Sequence, residues 1–435
     1  MRQIKIGLFG LGTVGQSVVE QITTNQTLIQ ARTGCELKVV KAVVNNPAKP
    51  RQVDLSGVEI SGDPAFILED PTIDLVIELM GGCDLAKEVL LKSFAAGKPV
   101  VTANKALLAE HGAEVFGAAY QAQASLGFEA AVAGGIPVIR VLKEGLAGDQ
   151  VTEVSGIING TANYILTSMT NKGESFMAAL RKAQDKGYAE ADPTFDVEGI
   201  DTAHKLLILM NLSFGGLFDF KQLYTEGITG IEPVDIEIAA EFGYVIKLLG
   251  KAIDRGGRYE GRVHPTLVPE GDMLANVEGP FNAVSLQGNF SGPVVAYGRG
   301  AGGHPTASAV LADVVAIVRQ LGVDGVPVPP LSMLPAQLEQ KEIMPIGEVE
   351  SEYYLRFSVE DRVGVMSEIT RVLGEHDISI ASMIQKTRAE EDGEAVPVVI
   401  FTHLALEMDV VNALLKIDQM PFIAQKTRLI RVDQD

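Results

Sequence analysis

The sequence predicts an α/β protein in three parts: a doubly wound parallel sheet, an α+β middle, and a C-terminal βαββαβ module. Three observations carry this. Strand-like and helix-like runs alternate over the first third, a glycine turn joins the first strand to the first helix, and the tail after a proline-rich stretch runs strand, helix, strand, strand, helix, strand. Alternation of this kind argues for a parallel sheet with helices on both faces.

Ile4–Phe9 is a short apolar strand, followed by the turn and a helix over Val14–Thr23. Leu37–Val44 and Leu75–Leu79 read as further strands, and Pro99–Thr102 ends a fourth, with a helix at Leu85–Ala96. From Ala131 to Gly302 the pattern changes. Strand-like runs at Val151–Ile158 and Gly261–Val268 stand beside apolar helices over Ile200–Leu212 and Ile236–Leu249, an α+β substrate domain. A helix at Thr306–Leu321 is expected to pack back on the first domain. Asp324–Ser351 reads as a linker, because Pro327, Pro329, Pro330, Pro335 and Pro345 block both helix continuation and sheet pairing. The tail elements are Tyr353–Val359, Val365–His376, Ile378–Lys386, Val396–His403, Met408–Ile417 and Phe422–Val432, a split βαβ order. The expected division is therefore 1–130 with 303–323, 131–302, linker 324–351, and 352–435.

Composition excludes several classes. The 435 residues are 46% hydrophobic and 21% charged, a globular balance. A net charge of −20 makes nucleic acid and anionic membranes poor partners. Two cysteines, Cys35 and Cys83, exclude a disulfide framework and fit a reducing compartment. The opening MRQIKIGLFG enters a folded motif at once rather than reading as a signal peptide, and no apolar stretch approaches the roughly 20 residues of a bilayer span. A cytoplasmic chain is expected.

Gly10-Leu11-Gly12-Thr13-Val14-Gly15 matches G-x-G-x-x-G between a strand and a helix. The first glycine permits the tight turn, the second lets backbone approach a pyrophosphate, and the third packs helix on strand. The helix N-terminus then offers free N–H groups to the phosphates. Gly10, Gly12, Thr13, Val14 and Gly15 are therefore candidate contacts of NAD(H) or NADP(H) in a Rossmann-type domain. Where an acidic side chain would select NAD, the chain has Asn45-Asn46, with Lys49 and Arg51 behind. NADP or dual use follows, although the two cations read equally as solvated loop charges.

The expected helix DVEGIDTAHKLLILMNL (Asp196–Leu212) is apolar on nearly every face in its second half, yet carries Asp201 and Lys205 one turn apart. That spacing alone suits an ordinary helix ion pair. Charges in apolar surroundings are costly unless paired or used, which makes both catalytic candidates. Glu190, just upstream, is a candidate for the same chemistry. Lys105 follows the fourth strand, at the sheet edge where ligands of such folds bind, beside Thr102 and Asn104. Its bland reading is a surface lysine at a helix start.

These pieces together resemble homoserine dehydrogenase. The resemblance rests on GLGTVG, ELMGG (Glu78–Gly82), VTANKALLA (Val101–Ala109), FEAAVAGGIPVI (Phe128–Ile139), GIINGTANYIL (Gly156–Leu166), GYAEADPTFDVEGIDTAHKL (Gly187–Leu206) and GRGAGGHPTASAVLAD (Gly298–Asp313). It implies interconversion of L-homoserine and L-aspartate 4-semialdehyde. Lys205 matches the family's general acid/base, and Asp201 orients it and contacts substrate. Glu190 matches a substrate ligand, and Lys105 a contact of substrate and cofactor. Glu129 and the carbonyls of Val132, Gly134 and Ile136 match a monovalent-cation site, usually sodium. Gly300 and Gly302 resemble a second glycine turn near the cofactor. Two positions depart: Cys83 stands where a threonine or similar residue is expected, and Asn45 where a basic residue is frequent. No kinase domain precedes the glycine loop, so the monofunctional form is expected.

The tail resembles an ACT domain, a ferredoxin-like module, with an Asp-x-x-Gly turn from Asp361 to Gly364. The resemblance implies amino-acid sensing, with L-threonine as effector, and a homodimer or homotetramer. A pairing module without ligand is the plain alternative. Two rivals remain for the whole chain: a phosphorylating semialdehyde dehydrogenase using Cys83 as nucleophile, and a sensor built on an inactive dinucleotide-binding scaffold.

Overall fold

The structure is a computed structural model that describes residues 1–321, 328–385 and 395–433. The chain forms two compact units. One comprises Met1–Gly160, Ala203–Phe220 and Pro280–Lys341, the other Thr161–Thr202, Lys221–Gly279 and Glu342–Asp435.

The first unit holds a six-stranded parallel sheet of β1 (Arg2–Phe9), β2 (Cys35–Val43), β3 (Glu59–Ser61), β4 (Leu75–Glu78), β5 (Val100–Thr102) and β6 (Leu126–Gly127), ordered β3-β2-β1-β4-β5-β6. This order reverses direction between β1 and β4, the switch point at which such sheets bind ligands. Every residue of β4 and β5 is buried, as both-face coverage requires. Four helices matter here: α1 (Thr13–Thr24), α2 (Gln26–Thr33), α3 (Ala65–Leu68) and α4 (Asp84–Ala95). A fifth, α5 (Lys105–Gln121), follows β5. The helix α2 had no periodic signal to announce it. The later helix Gly303–Gln320 sends Ala307, Val310, Val314 and Ile317 into the same core as Ile4, Leu8 and Val18. It begins three residues before the expected Thr306, at the left-handed Gly302. Three antiparallel strands, Gly292–Arg299, Phe281–Gly288 and Val151–Ile157, complete the unit's main sheets.

The second unit is built on a hairpin, Tyr244–Asp254 against Tyr259–Pro269. The strand Ile423–Val432 runs parallel to Tyr259–Pro269, and Glu350–Glu360, Ala395–Thr402 and Ile380–Gln385 follow in that order. The C-terminal module thus extends the sheet of the hairpin. Its own core is Tyr353, Leu355, Phe357, Ile369, Leu373, Ile400, Val410 and Ile417.

Three expectations need correction. Ile236–Leu249 is not one helix. A helix ends at Glu241, Gly243 turns the chain at φ +78°, and Tyr244–Asp254 is a strand rich in residues that pair across the hairpin. Its residues are buried on both faces, Lys247 and Lys251 included, which hides the period of two. The Asp196–Leu212 helix is also broken. Thr194–Val197 forms one turn, Gly199 sits at φ +82°, and Ile200–Ser213 restarts the helix. The linker is partly ordered as well: Glu339–Lys341 pairs with Gly216–Phe218, and the next strand begins at Glu350. Residues 322–327, the end of the expected 303–323 segment and the start of that linker, lie outside the described residues, as does Lys386 of the expected strand Ile378–Lys386. Among the described residues no helix is long and apolar enough to cross a membrane.

Candidate active site

At the C-terminal edge of β1 the chain turns through Gly10 at φ +96°, where its N–H donates to the Val43 carbonyl at 2.9 Å. A Cβ on Gly10 would stand 2.5 Å from the Leu79 carbonyl oxygen, and one on Gly15 would collide with the carbonyl of Gly10. At Gly12 it would meet nothing within 4 Å. Two glycines are therefore demanded by the fold, whereas the third keeps an open approach to the backbone. No side chain caps α1, whose first N–H groups are left for a ligand. The loop thus fits a dinucleotide pyrophosphate. The helix that follows Gly302 abuts the same turn: a Cβ on Gly303 would be 2.7 Å from Ser17 Oγ and 3.0 Å from Thr13 Cγ2. The GRGAGG segment accordingly lies beside GLGTVG, with Gly302 at φ +121°.

After β2, Asn45 is exposed and Arg51 folds back on its own loop. The Arg51 guanidinium donates to the carbonyls of Asn46 (2.9 Å), Pro47 (3.1 Å) and Lys49 (2.7 Å). Arg51 thereby shapes the 46–49 loop.

Next to the glycine loop sits a buried carboxylate that sequence reasoning passed over. Glu78 ends β4, paired with Phe9 on one side and Thr102 on the other. It is fully buried and accepts from Thr102 Oγ1 at 2.6 Å and from the Met80 N–H at 2.6 Å. Burial pushes its carboxyl up to about 7, against the lowering effect of those two donors. Thr102 Oγ1 in turn accepts from the Asn104 N–H, and Asn104 caps α5 by accepting from Leu107 N at 3.1 Å while donating to the Gly82 carbonyl at 2.7 Å. This chain fixes the turn that carries half-buried Lys105, the first residue of α5. The signal was present in LVIE, a glutamate closing an otherwise apolar strand.

Lys205 is buried, and its ammonium donates to the Ile158 carbonyl at 2.7 Å. It lies on the helix Ile200–Ser213, one turn after the buried Asp201. Asp201 and Glu190 are counted with the second unit and Lys205 with the first. Glu190 is exposed, and its backbone carbonyl accepts from Gln184 Nε2 at 3.1 Å.

The FEAAVAGGIP segment packs against the second glycine turn. Gly135 N donates to Arg299 O at 3.1 Å, and a Cβ on Gly134 would collide with the carbonyl of Gly300. Ala133 and Gly134 are both left-handed, so the chain curls tightly through Val132–Ile136. Glu129 is buried and accepts from Ile139 N (2.8 Å) and Arg140 N (2.9 Å). Burial, reinforced by Asp313, raises its carboxyl to about 7 against those donors. A buried carboxylate beside a curled run of carbonyls is a donor set that suits a hard monovalent ion.

Cys83 is the N-cap residue of α4, but burial and the nearby carboxylates of Glu110, Asp84 and Glu78 raise its thiol. A raised thiol is a poor nucleophile, which removes support from the phosphorylating-dehydrogenase reading.

Profiles of two families, described as homoserine dehydrogenase and homoserine dehydrogenase NAD binding domain, match residues 137–315 and 10–129. An ACT domain profile matches residues 353–419. The chain is 43% identical to a homoserine dehydrogenase of Pseudomonas aeruginosa, with 100% of both proteins covered. The chain belongs to the homoserine dehydrogenase family. Its reaction is accordingly that of an oxidoreductase acting on a CH–OH group, its cofactor is a nicotinamide dinucleotide, and its C-terminal module is an ACT domain. Among solved structures it is similar to a homoserine dehydrogenase from Thiobacillus denitrificans, at 45% identity and TM-score 0.94, covering 100% of this chain and 99% of that one. It is also similar to a hyperthermophilic archaeal homoserine dehydrogenase in complex with NADPH, at 26% identity and TM-score 0.62, covering 74% of this chain and 99% of that one.

Proposed function

We propose that Lys205 is the general acid/base that exchanges a proton with the substrate hydroxyl of L-homoserine. The observation that carries this is its burial one turn after the buried Asp201, with its ammonium directed at Ile158 O at 2.7 Å. An ammonium withdrawn from water costs several kcal/mol, so such a position is kept where the charge is held for use. A bound nicotinamide supplies the hydride acceptor or donor; the remaining tasks fall to the chain. Asp201 binds substrate and orients the lysine. Glu190 takes the substrate ammonium, a carboxylate's natural partner. Lys105, held by the Glu78–Thr102–Asn104 chain, contacts substrate and cofactor. Gly10, Gly12, Thr13, Val14, Gly15, Asn45, Gly300 and Gly302 hold the dinucleotide. NADP is used at least as well as NAD, because no carboxylate stands between Val44 and Gln52 to repel a 2′-phosphate. Glu129 with Val132, Gly134 and Ile136 binds a monovalent cation, sodium foremost, that braces this junction of loops. L-threonine is the effector of the ACT domain, in a cytoplasmic homodimer or homotetramer.

The test is steady-state oxidation of L-homoserine by the purified protein, followed by the absorbance of reduced nicotinamide. NAD and NADP are run in parallel, with and without L-threonine, in sodium and in potassium. Turnover abolished in Lys205→Ala with cofactor binding retained is expected. Near-normal kcat in that variant would overturn the assignment of the proton to Lys205.

A further inference from the structure

The C-terminal module touches the rest of the second unit through a buried arginine. Arg431 lies on the last strand, opposite Thr266 of the hairpin. Its guanidinium is held inside its own module by Glu407, which accepts from Nε at 2.9 Å and also takes a bond from Tyr353 Oη at 3.0 Å. The other side of the same guanidinium leaves the module. Nη1 donates to Glu226 Oε2 at 2.9 Å and Nη2 to Tyr224 Oη at 3.1 Å. Arg428 adds a second contact, Nη1 to Glu226 Oε1 at 3.3 Å, in space that Gly230 leaves by lacking a side chain. Both oxygens of Glu226 are thus gripped by arginines of the C-terminal module.

Glu226 stands at the far end of a short rigid path. Its N–H donates to Val263 O at 2.8 Å. The next residue, Gly227, packs on Glu198 so closely that a Cβ would stand 3.0 Å from the Glu198 carboxylate, and Ile228 N donates to Val197 O at 2.8 Å. The break at Gly199 lies on the same residues: a Cβ there would be 3.2 Å from Thr225 Cγ2 and 3.4 Å from Glu226 O. Two residues later comes Asp201. The left-handed Gly199 fixes where the helix Ile200–Ser213 restarts, and it is packed against Thr225 Cγ2, Val263 Cγ1 and the Glu226 carbonyl.

We propose that Glu226 is a positioning residue for substrate binding: clamped by Arg431 and Arg428, it sets the Gly199 break and through it the place of Asp201. The C-terminal module is then a structural part of the substrate site, whatever effector it takes. This rests on the reading of Asp201 as a substrate ligand. The path is a set of packed contacts of fixed geometry, and coupling along such contacts is testable only by its effect on affinity.

The test uses the full chain and compares Glu226→Gln, Arg428→Gln and Asp201→Asn with the parent. Each is assayed for KM of L-homoserine, KM of the nicotinamide cofactor, kcat and melting temperature. Glu226→Gln keeps the shape of the side chain and leaves Arg431 paired with Glu407, so folding is preserved. The expected result is a rise of about tenfold in the KM of L-homoserine with the cofactor KM unchanged. Arg428→Gln is expected to shift the same constant less, because Arg431 still holds Glu226. A Glu226→Gln variant with the parent's substrate KM, while Asp201→Asn is impaired, overturns the positioning role alone. A lowered melting temperature with both KM values unchanged reduces the clamp to a structural contact and also overturns it. Parent-like kinetics in Asp201→Asn overturns the reading beneath it.

Discussion

The side-chain carboxylate of Asp235 accepts from both the guanidinium of Arg356 and the hydroxyl of Tyr354, at 2.6 Å and 2.8 Å, with Asp235 fully buried. Its second oxygen takes the Glu232 N–H at 2.9 Å, closing a capping box on the helix Pro233–Glu241. One aspartate therefore caps the N-terminus of a helix outside the C-terminal module and pairs with that module's first strand. Removing one member of a buried ion pair leaves an unpaired charge, a cost of about 3–5 kcal/mol. Asp235→Ala is expected to lose about that much in urea unfolding, and Asp235→Ala with Arg356→Met to recover a large part of it. A loss within experimental error for the single variant would show that water or a neighbour compensates.

Lys205→Ala is expected to lower kcat by roughly a hundredfold or more, the scale of lost general acid/base catalysis. Fluorescence titration with reduced nicotinamide should give the parent's dissociation constant. Loss of cofactor binding in this variant would indicate a collapsed site instead.

The two loop glycines should separate fold from ligand. Gly15→Ala places a Cβ on the Gly10 carbonyl and is expected to lower the melting temperature as well as cofactor affinity. Gly12→Ala meets open space in the free protein, so its melting temperature should match the parent while the cofactor KM rises. Equal thermal loss in both variants would contradict the open approach at Gly12.

Glu78 makes stability depend on pH in a predictable direction. Its folded carboxyl is raised to about 7 by burial, above its ordinary value. The folded chain therefore holds a proton that the unfolded chain has released, and stability falls as pH rises from the unfolded value through about 7. The contribution amounts to roughly 3 kcal/mol at most. Glu78→Gln should give a flatter profile of unfolding free energy over that window. An unchanged slope would assign the loss to other carboxyls such as Glu129 and Asp313, which burial raises in the same way.

Much of the first unit was legible because its signals are local. A strand, a glycine turn and a helix lie within the first two dozen residues, and the demands on Gly10 and Gly15 are set by their immediate neighbours. The βαββαβ order of the tail was equally legible, since each element keeps its own period. What escaped depends on tertiary context. The strand Tyr244–Asp254 is buried on both faces, lysines included, so the alternation that marks a strand is absent. The break at Gly199 was hidden because a glycine inside a helical pattern signals a turn only when something occupies the space beside it, here Thr225 and Val263. Glu78 was passed over because a single acidic letter at a strand end does not reveal that Thr102, on the neighbouring strand, will bond to it. Nothing in the sequence of the final strand marks Arg428 and Arg431 as clamping residues, and their partner Glu226 is remote in the chain.

The parallel pairing of Tyr259–Pro269 with Ile423–Val432 has a consequence for biosynthesis. The hairpin's edge at Thr266–Leu267 is completed by a stretch synthesised long after the hairpin itself, with Asp433 N donating to Leu267 O at 2.8 Å. Until that stretch arrives, this edge is paired by Tyr224–Thr225 at Arg262–Val263 while Thr266–Leu267 wait for the later strand, and the contact that covers them spans a large loop whose closure is slow. A nascent chain is thus exposed to wrong partners during this interval. Translation pauses or early termination beyond the hairpin should therefore favour aggregation over a stable fragment.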